Sequence, residues 1–264
     1  MTSPAKPTAL ITGASTGIGA TYADRLARRG YNLILVARDR TRLEDLAGRL
    51  RTETGKAVEV LPADLARADD LRRVEQRLRD DAGITAFVNN AGMAVVGPAV
   101  DADPERLDAV VQLNIVAASR LGIAAAQAFK ARNEGTLINI ASVLALVSER
   151  FNAVYNASKA YVLTFTQALR NELSGTNVRV QAVLPGATRT EIWNRAGGDV
   201  DALPAEMVMD VDPMVDAALA GLDHGEAVTI PSLPDIADWQ RFEAARQALG
   251  PNLSRNHPAA RYLG

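Results

Sequence analysis

Short apolar runs and amphipathic stretches alternate along this chain. Thr8–Thr12 (TALIT), Asn32–Ala37 (NLILVA), 57–61 (AVEVL), 84–88 (ITAFV), 137–140 (LINI) and 178–184 (VRVQAVL) read as buried strands, and 226–230 (EAVTI) as a seventh. Between them apolar residues recur at helical spacing: Tyr22, Leu26 and Ala27; Leu43, Leu46 and Leu50; Leu71, Val74 and Leu78. Longer helices are predicted from Pro104 to about residue 131, with Leu107, Val110, Val111, Ile115 and Leu121 on a broad apolar face, and from near Asn152 to near Ser174. This alternation predicts an α/β fold, a doubly wound three-layer arrangement around a mostly parallel seven-stranded sheet.

The first strand breaks into Thr12-Gly13-Ala14-Ser15-Thr16-Gly17-Ile18-Gly19, and the helix that follows ends at Gly30. Strand, glycine turn and helix form the context in which backbone N–H groups hold a pyrophosphate. The spacing here is Gly-x-x-x-Gly-x-Gly rather than Gly-x-Gly-x-x-Gly, and an ordinary structural turn is the default reading of the glycines alone. After the second strand come Arg38, Asp39 and Arg40. An acid at that point would bind the ribose hydroxyls of NAD, whereas an arginine favours the 2′-phosphate of NADP. Arg38 is the first loop residue, which favours NADP(H), with NAD(H) as the alternative; Asp39 could simply cap the next helix.

The densest chemistry lies in 138–165. Ser142 sits where the fifth strand ends, and Tyr155 and Lys159, four apart, share one helix face. A tyrosine hydroxyl titrates near pH 10; an ammonium about 4 Å away, at an effective dielectric of about 20, would favour the phenolate by roughly 4 kcal/mol, or about three pKa units. Such a tyrosine is a general acid–base catalyst near pH 7, and a serine hydroxyl beside it could hold the same reacting oxygen. The chain uses 25 arginines and only four lysines, so a lysine at this spacing points to a compact, tunable charge rather than a routine surface cation. Asn114 lies inside a predicted helix, where asparagine competes for backbone hydrogen bonds; a solvent-facing residue is the ordinary reading of it.

TGASTGIG, NNAG at 89–92, Asn114, Ser142, YNASK at 155–159 and PGATRT at 185–190, in this order, resemble the short-chain dehydrogenase/reductase family from about Thr8 to Ile230. The family uses this glycine spacing, and the gaps of thirteen from Ser142 to Tyr155 and four from Tyr155 to Lys159 match its pattern. The resemblance implies a Rossmann-type fold in which Gly13, Gly17 and Gly19 shape the dinucleotide loop, with Ser15 and Ile18 near the phosphates. It further implies that Asp64 contacts the adenine, Asn90 borders the cofactor, and Pro185, Gly186 and Thr188 border the nicotinamide. Ser142 is then expected to bind the reacting oxygen and Tyr155 to transfer the proton. Lys159 is expected to hold the ribose and lower the tyrosine pKa, and Asn114 to support a water leading to Lys159. Arg38 after Ala37 resembles the NADP-preferring members. A homo-oligomer, dimer or tetramer, through the helices at 104–131 and 153–174 is implied by the resemblance only.

The remaining features narrow the reading. One domain over 1–264 is expected. Net charge is −2 with both signs interspersed, which gives no nucleic-acid footprint and no basic membrane face. No apolar run of 18 residues is read, hence no membrane span, and the N-terminus carries no signal-peptide pattern, so a cytoplasmic location is expected. With no cysteine and two distant histidines, His224 and His257, neither thiolate chemistry nor a histidine metal site is expected. Residues 187–212 read as an irregular loop covering a small-molecule substrate, with Trp193, Met207 and Met209 equally readable as pocket walls or as ordinary packing. Val143, Leu144 and Val147 beside Ser142 point to an apolar pocket for a ketone, aldehyde or secondary alcohol. The tail, about 231–264, carries a helix near 238–249 with Trp239, Phe242, Ala245 and Leu249 on one face; it could close over the substrate or dock on another subunit. NADP(H)-dependent carbonyl reduction is the favoured function. NAD-linked alcohol oxidation, or a non-catalytic dinucleotide-binding sensor or scaffold, are its rivals.

Overall fold

The computed structural model describes residues 7–263. Residues 1–6 and 264, the start of the segment read as lacking a signal peptide and the last tail residue, lie outside the described residues. Contacts divide the chain into a large unit ending at Pro231 and a small one from Ser232, where the sequence placed the start of the tail.

In the large unit the elements run β1 (Thr8–Thr12), α1 (Gly17–Arg28), β2 (Asn32–Ala37), α2 (Arg40–Thr54), β3 (Val58–Pro62), α3 (Ala68–Asp80) and β4 (Ile84–Asn89). The second half adds α4 (Pro104–Val111), a π-helical turn (Gln112–Ala117), α5 (Ala118–Arg132), β5 (Gly135–Ile140), α6 (Ala153–Glu172) and β6 (Val178–Val183). Then come β7 (Ala187–Thr188), α7 (Ile192–Ala196), β8 (Val208–Met209), α8 (Val211–Asp223) and β9 (Val228–Thr229). Seven strands form one sheet in the order β3-β2-β1-β4-β5-β6-β9, and every pairing in it is parallel.

Strand periodicity explains the layering. Along β1, Ala9 and Ile11 enter one core while Leu10 enters the other; along β2, Leu33 and Leu35 oppose Ile34 and Val36. The first core is closed by Tyr22 and Leu26 of α1, Leu43 and Leu50 of α2, and Met214 and Leu219 of α8. The second is closed by Val74 and Leu78 of α3, Leu121 and Phe129 of α5, and Leu169 of α6. With both faces covered, the strands must be apolar throughout, as their sequences are. A buried polar ladder crosses β4, β5 and α6: Asn89 Nδ2 donates to Asn139 Oδ1 at 2.9 Å, and Asn139 Nδ2 donates to Thr166 Oγ1 at 3.0 Å.

The chain crosses from one side of β1 to the other between β3 and β4, so the C-terminal ends of β1 and β4 flank the crevice where open α/β sheets take their ligands.

Three sequence expectations change. The helix from Pro104 is not uniformly α-helical, because the π turn inserts at Asn114. The run Pro104–Arg132 is also long and apolar enough to cross a membrane by length and composition, contrary to the sequence reading. It is instead a flanking helix of the sheet, whose Arg120 pairs with Glu75 of α3 at 2.6 Å. The segment 187–212 is not a bare loop: β7 and β8 pair in parallel as a small second sheet, and α7 lies between them.

In the small unit, α9 (Ile236–Ala248) is capped by the Asp235 carboxylate, which accepts from Ala237 N at 2.9 Å. Trp239 and Phe242 pack with ring centroids 5.5 Å apart, but no residue of α9 is buried, so the proposed apolar face is not a core face.

Candidate active site

The glycine turn is shaped by close approach. Gly13 and Gly17 adopt φ of +66° and +53°, a region closed to most side chains. Gly19 has ordinary dihedrals, but a Cβ there would stand 2.3 Å from the Gly13 carbonyl oxygen and 2.7 Å from Asn90 Nδ2. A Cβ on Gly13 would meet the same Asn90 nitrogen at 2.8 Å. Asn90 holds that position by donating to the Thr12 carbonyl at 2.9 Å. Thr12 Oγ1 in turn accepts from the N–H groups of Asn90 and Ala91 at 3.0 Å each, which joins the ends of β1 and β4. Helix α1 starts at Gly17 with no side-chain cap, so its first N–H groups face the turn without an intrahelical partner. Ser15 is half-buried on the turn, and Ile18 packs against the core beneath it.

At the end of β2 the two charges separate. The Asp39 carboxylate accepts from Arg42 N at 3.0 Å and caps α2, the capping role left open from sequence. Arg38 is exposed and lines a hollow of about 220 Å³ with Pro62, Ala63, Asp64 and Asp70. Asp64 is fixed there by its own N–H, which donates to the Asp70 carboxylate at 2.8 Å.

Ser142 follows β5 and opens a short 3₁₀ turn, accepting from Leu144 N at 3.1 Å and donating to the Pro185 carbonyl at 3.4 Å. Val143 N donates to the same carbonyl at 3.0 Å, so Pro185 is tied to the serine turn. Thr188 Oγ1 donates to the Gly186 carbonyl at 3.1 Å, and Thr188 O accepts the Trp193 indole N–H at 2.9 Å. Opposite, Asn152 caps α6 with its side-chain oxygen, accepting from Val154 N and Tyr155 N at 3.0 and 3.1 Å.

Tyr155 is buried, and Ser142 is the side chain that acts on its hydroxyl. Burial pushes that hydroxyl up to about 12, and Ser142 offsets only part of the rise. This corrects the expectation of a lowered value. The Lys159 ammonium lies over the tyrosine ring, 5.7 Å from its centroid, and donates to the Ile140 carbonyl at 2.9 Å. Lys159 itself is brought down to about 8 by burial. Among the described residues no carboxylate pairs with it.

Asn114, in the π turn, is clamped on Met93: its Oδ1 accepts from Met93 N and its Nδ2 donates to Met93 O, both at 2.9 Å. Nδ2 also donates to Ser158 Oγ at 3.1 Å. Gly92 lies between this amide and the lysine, where a Cβ would come 3.3 Å from Asn114 Oδ1 and 3.6 Å from Lys159 Nζ. Asn114, Ser142, Tyr155 and Lys159 are thus gathered at the C-terminal ends of β4 and β5.

Four residues escaped the sequence reading as parts of this site. Thr12 and Gly92 belonged to the quoted motifs, where their letters were the available signal. Thr190 carried the same kind of signal in PGATRT; a Cβ on Gly17 would meet its methyl group at 3.0 Å. Phe151 had no local signal. Its ring stands edge-on to Tyr155 at 5.3 Å and to Trp193 at 6.0 Å between centroids. With Leu144, Ile192, Ala94 and Ala196 it forms the apolar cluster around Tyr155. Met209 packs instead against the core beside α1, and Met207 is exposed, so neither joins that cluster.

The short-chain dehydrogenase family model matches residues 7–200. A short-chain dehydrogenase from Sphingobium yanoikuyae, solved in complex with NADPH, is 52% identical over 97% of this chain and 99% of its own, with a TM-score of 0.94. The bulky-bulky ketone specific alcohol dehydrogenase of Comamonas testosteroni is 46% identical over 98% of this chain and all of its own, with a TM-score of 0.90. Among curated relatives, the 7beta-hydroxysteroid dehydrogenase of Clostridium sardiniense is 36% identical over 70% of each chain. This chain belongs to the short-chain dehydrogenase/reductase family and is an oxidoreductase acting on hydroxyl and carbonyl groups.

Proposed function

We propose that this protein is an NADP(H)-dependent reductase of bulky, apolar ketones. The observation that carries the reading is a buried Tyr155 beside Ser142, amid Leu144, Phe151, Ile192, Ala94 and Ala196. Such walls accept apolar groups on both sides of a single polar atom. The likeness to an enzyme named for bulky-bulky ketones supports the same substrate class.

The residues present fit a dinucleotide. Gly13, Gly17 and Gly19 leave a cradle that side chains would fill, and the uncapped start of α1 offers backbone donors to phosphate. Gly13, Ser15, Gly17, Ile18, Gly19 and Asn90 would hold the pyrophosphate end, with Asp64 at the adenine and Pro185, Gly186, Thr188 and Lys159 at the nicotinamide ribose. Asp39 is occupied in capping α2 while Arg38 faces solvent, which favours the 2′-phosphate and hence NADP(H). When bound, the cofactor supplies or accepts the hydride. Ser142 holds the substrate oxygen. Tyr155, protonated at neutral pH, donates the proton during reduction. Lys159 sets a positive charge against the tyrosine ring, and Asn114 fixes Met93 and Ser158 around it.

A dimer or tetramer built through the helices at 104–131 and 153–174 belongs to the same reading, with Ile123 and Tyr161 exposed on them. Light scattering tests it.

Fluorescence titration with NADPH and NADH, in wild type and Arg38→Ala, tests the cofactor assignment. NADPH binding weakened about 10- to 100-fold in the variant, with NADH unmoved, is expected for loss of an arginine–phosphate contact. Equal binding of both nucleotides, insensitive to the substitution, would overturn it. In steady-state reduction of a bulky ketone, Tyr155→Phe should lose roughly 10² to 10⁴ in kcat.

A further inference from the structure

Phe151 is held in a conformation that its own side chain disfavours. Its φ is +68°, the left-handed region that glycine or asparagine occupies with little strain and a bulky aromatic residue does not. Two buried asparagines secure the flanks of that one residue. Asn152 Nδ2 donates to the Gly97 carbonyl at 2.8 Å, while Asn156 Nδ2 donates to the Arg150 carbonyl. The surroundings therefore impose the backbone and keep a phenyl ring where a smaller residue would be easier.

The position of that ring supplies a reason. Phe151 stands edge-on to Tyr155 of α6 and edge-on to Trp193 of α7, and it remains half-buried. The Trp193 indole N–H is already donated to Thr188 O, so this wall adds π surface and no further hydrogen-bonding group. Aliphatic walls recognise bulk alone. Rings with negative faces and positive edges also discriminate a flat aromatic group from a saturated ring of the same size.

We propose that Phe151, with Trp193, is the specificity-determining aromatic corner of this site and selects ketones carrying an aryl group on the carbonyl carbon. This rests on the reductase reading above and narrows its substrate class.

The test compares ethyl phenyl ketone with ethyl cyclohexyl ketone, which differ mainly in the π face. The ratio of their kcat/KM values is measured in wild type, Phe151→Leu, Phe151→Gly and Phe151→Tyr, and each variant is referred to wild type so that intrinsic reactivity cancels. Binding of each ketone to protein saturated with NADP⁺, where no reduction occurs, is measured in parallel by calorimetry. The phenyl preference should fall about tenfold in both Phe151→Leu and Phe151→Gly and persist in Phe151→Tyr, as expected for loss of edge-to-face contacts. Phe151→Gly also relieves the backbone, and thermal unfolding of each variant is measured alongside, so loss of preference in a variant that stays folded and binds NADPH cannot be assigned to misfolding. A phenyl-to-cyclohexyl ratio unchanged in both variants, in turnover and in calorimetry, overturns the proposal while leaving the reductase reading intact. If wild type reduces neither ketone with NADPH or NADH, the reductase reading fails, and the calorimetric preference and its loss in Phe151→Leu still decide the aromatic corner.

Discussion

The Asn114 side-chain amide closes a two-way hydrogen-bonded clamp on the backbone of Met93, at 2.9 Å in each direction, and reaches Ser158 with its remaining proton at 3.1 Å. One side chain thereby fixes the segment after β4 against α6. Replacing it by alanine strips the half-buried Met93 N–H and carbonyl, and Ser158, of this partner. Asn114→Ala should lose about 1–4 kcal/mol of stability, since each lost hydrogen bond contributes about 0.5–1.5 kcal/mol. Urea denaturation measures this; a change below about 0.5 kcal/mol would mean that the clamp is replaced by solvent.

Gly19→Ala would force a methyl group to within 2.3 Å of the Gly13 carbonyl oxygen, which is backbone and cannot swing away. Nucleotide affinity should drop about 10-fold or more as the turn shifts, by analogy with the loss of a well-placed set of backbone donors. Equilibrium titration with NADPH reads the effect, and wild-type affinity in the variant would show that the turn tolerates the displacement.

The Tyr155 hydroxyl is pushed up to about 12 by burial, and burial raises Tyr22 still further. Spectrophotometric titration of protein without added nucleotide should therefore show a phenol that stays protonated past pH 11 and is missing from Tyr155→Phe. A phenol ionising near pH 7 that disappears in the variant would instead mean that Lys159 outweighs burial.

Lys159 gives a pH dependence of the opposite sense. Its ammonium is held at about 8 in the folded protein, against an ordinary value of 10.5. Between those values the unfolded chain binds more protons, so stability rises with pH from about 8 and levels off near 10.5. A Lys159→Met variant lacks this rise. The stability difference between wild type and variant should move in favour of wild type by roughly 3 kcal/mol across that window, at about 1.4 kcal/mol per pKa unit. Denaturation curves at pH 7, 9 and 10.5 check it; parallel curves would contradict the buried, carboxylate-free setting of the lysine.

What could be read from sequence was whatever is encoded locally. Strands such as Thr8–Thr12 and Asn32–Ala37 are apolar on both faces and bounded by turn residues, so their ends coincide with the observed ones. Ser142, Tyr155 and Lys159 were legible because their spacing follows the geometry of one strand end and one helix face. The protonation state of Tyr155 was not, because it depends on how completely α6 and the 185–188 segment exclude water from the phenol. Phe151 was silent because its importance comes from meeting Trp193, 42 positions away in the chain. Met209 could be read either as a pocket wall or as packing for the converse reason: β8 pairs with β7, and only that pairing sets it, half-buried, against the first core.

The glycine turn has a consequence for how this sequence can vary. A side chain at either Gly13 or Gly19 would meet the same nitrogen of Asn90, and one at Gly19 would meet the Gly13 carbonyl as well. Shrinking Asn90 would free space beside either glycine, but it would not move the carbonyl that blocks position 19. The three positions are mutationally coupled, with no neutral order of single steps between this arrangement and a bulkier one. Laboratory libraries that diversify the turn one codon at a time should return these residues unchanged, whereas the exposed neighbours at 38 and 40 drift freely when nucleotide binding is not selected.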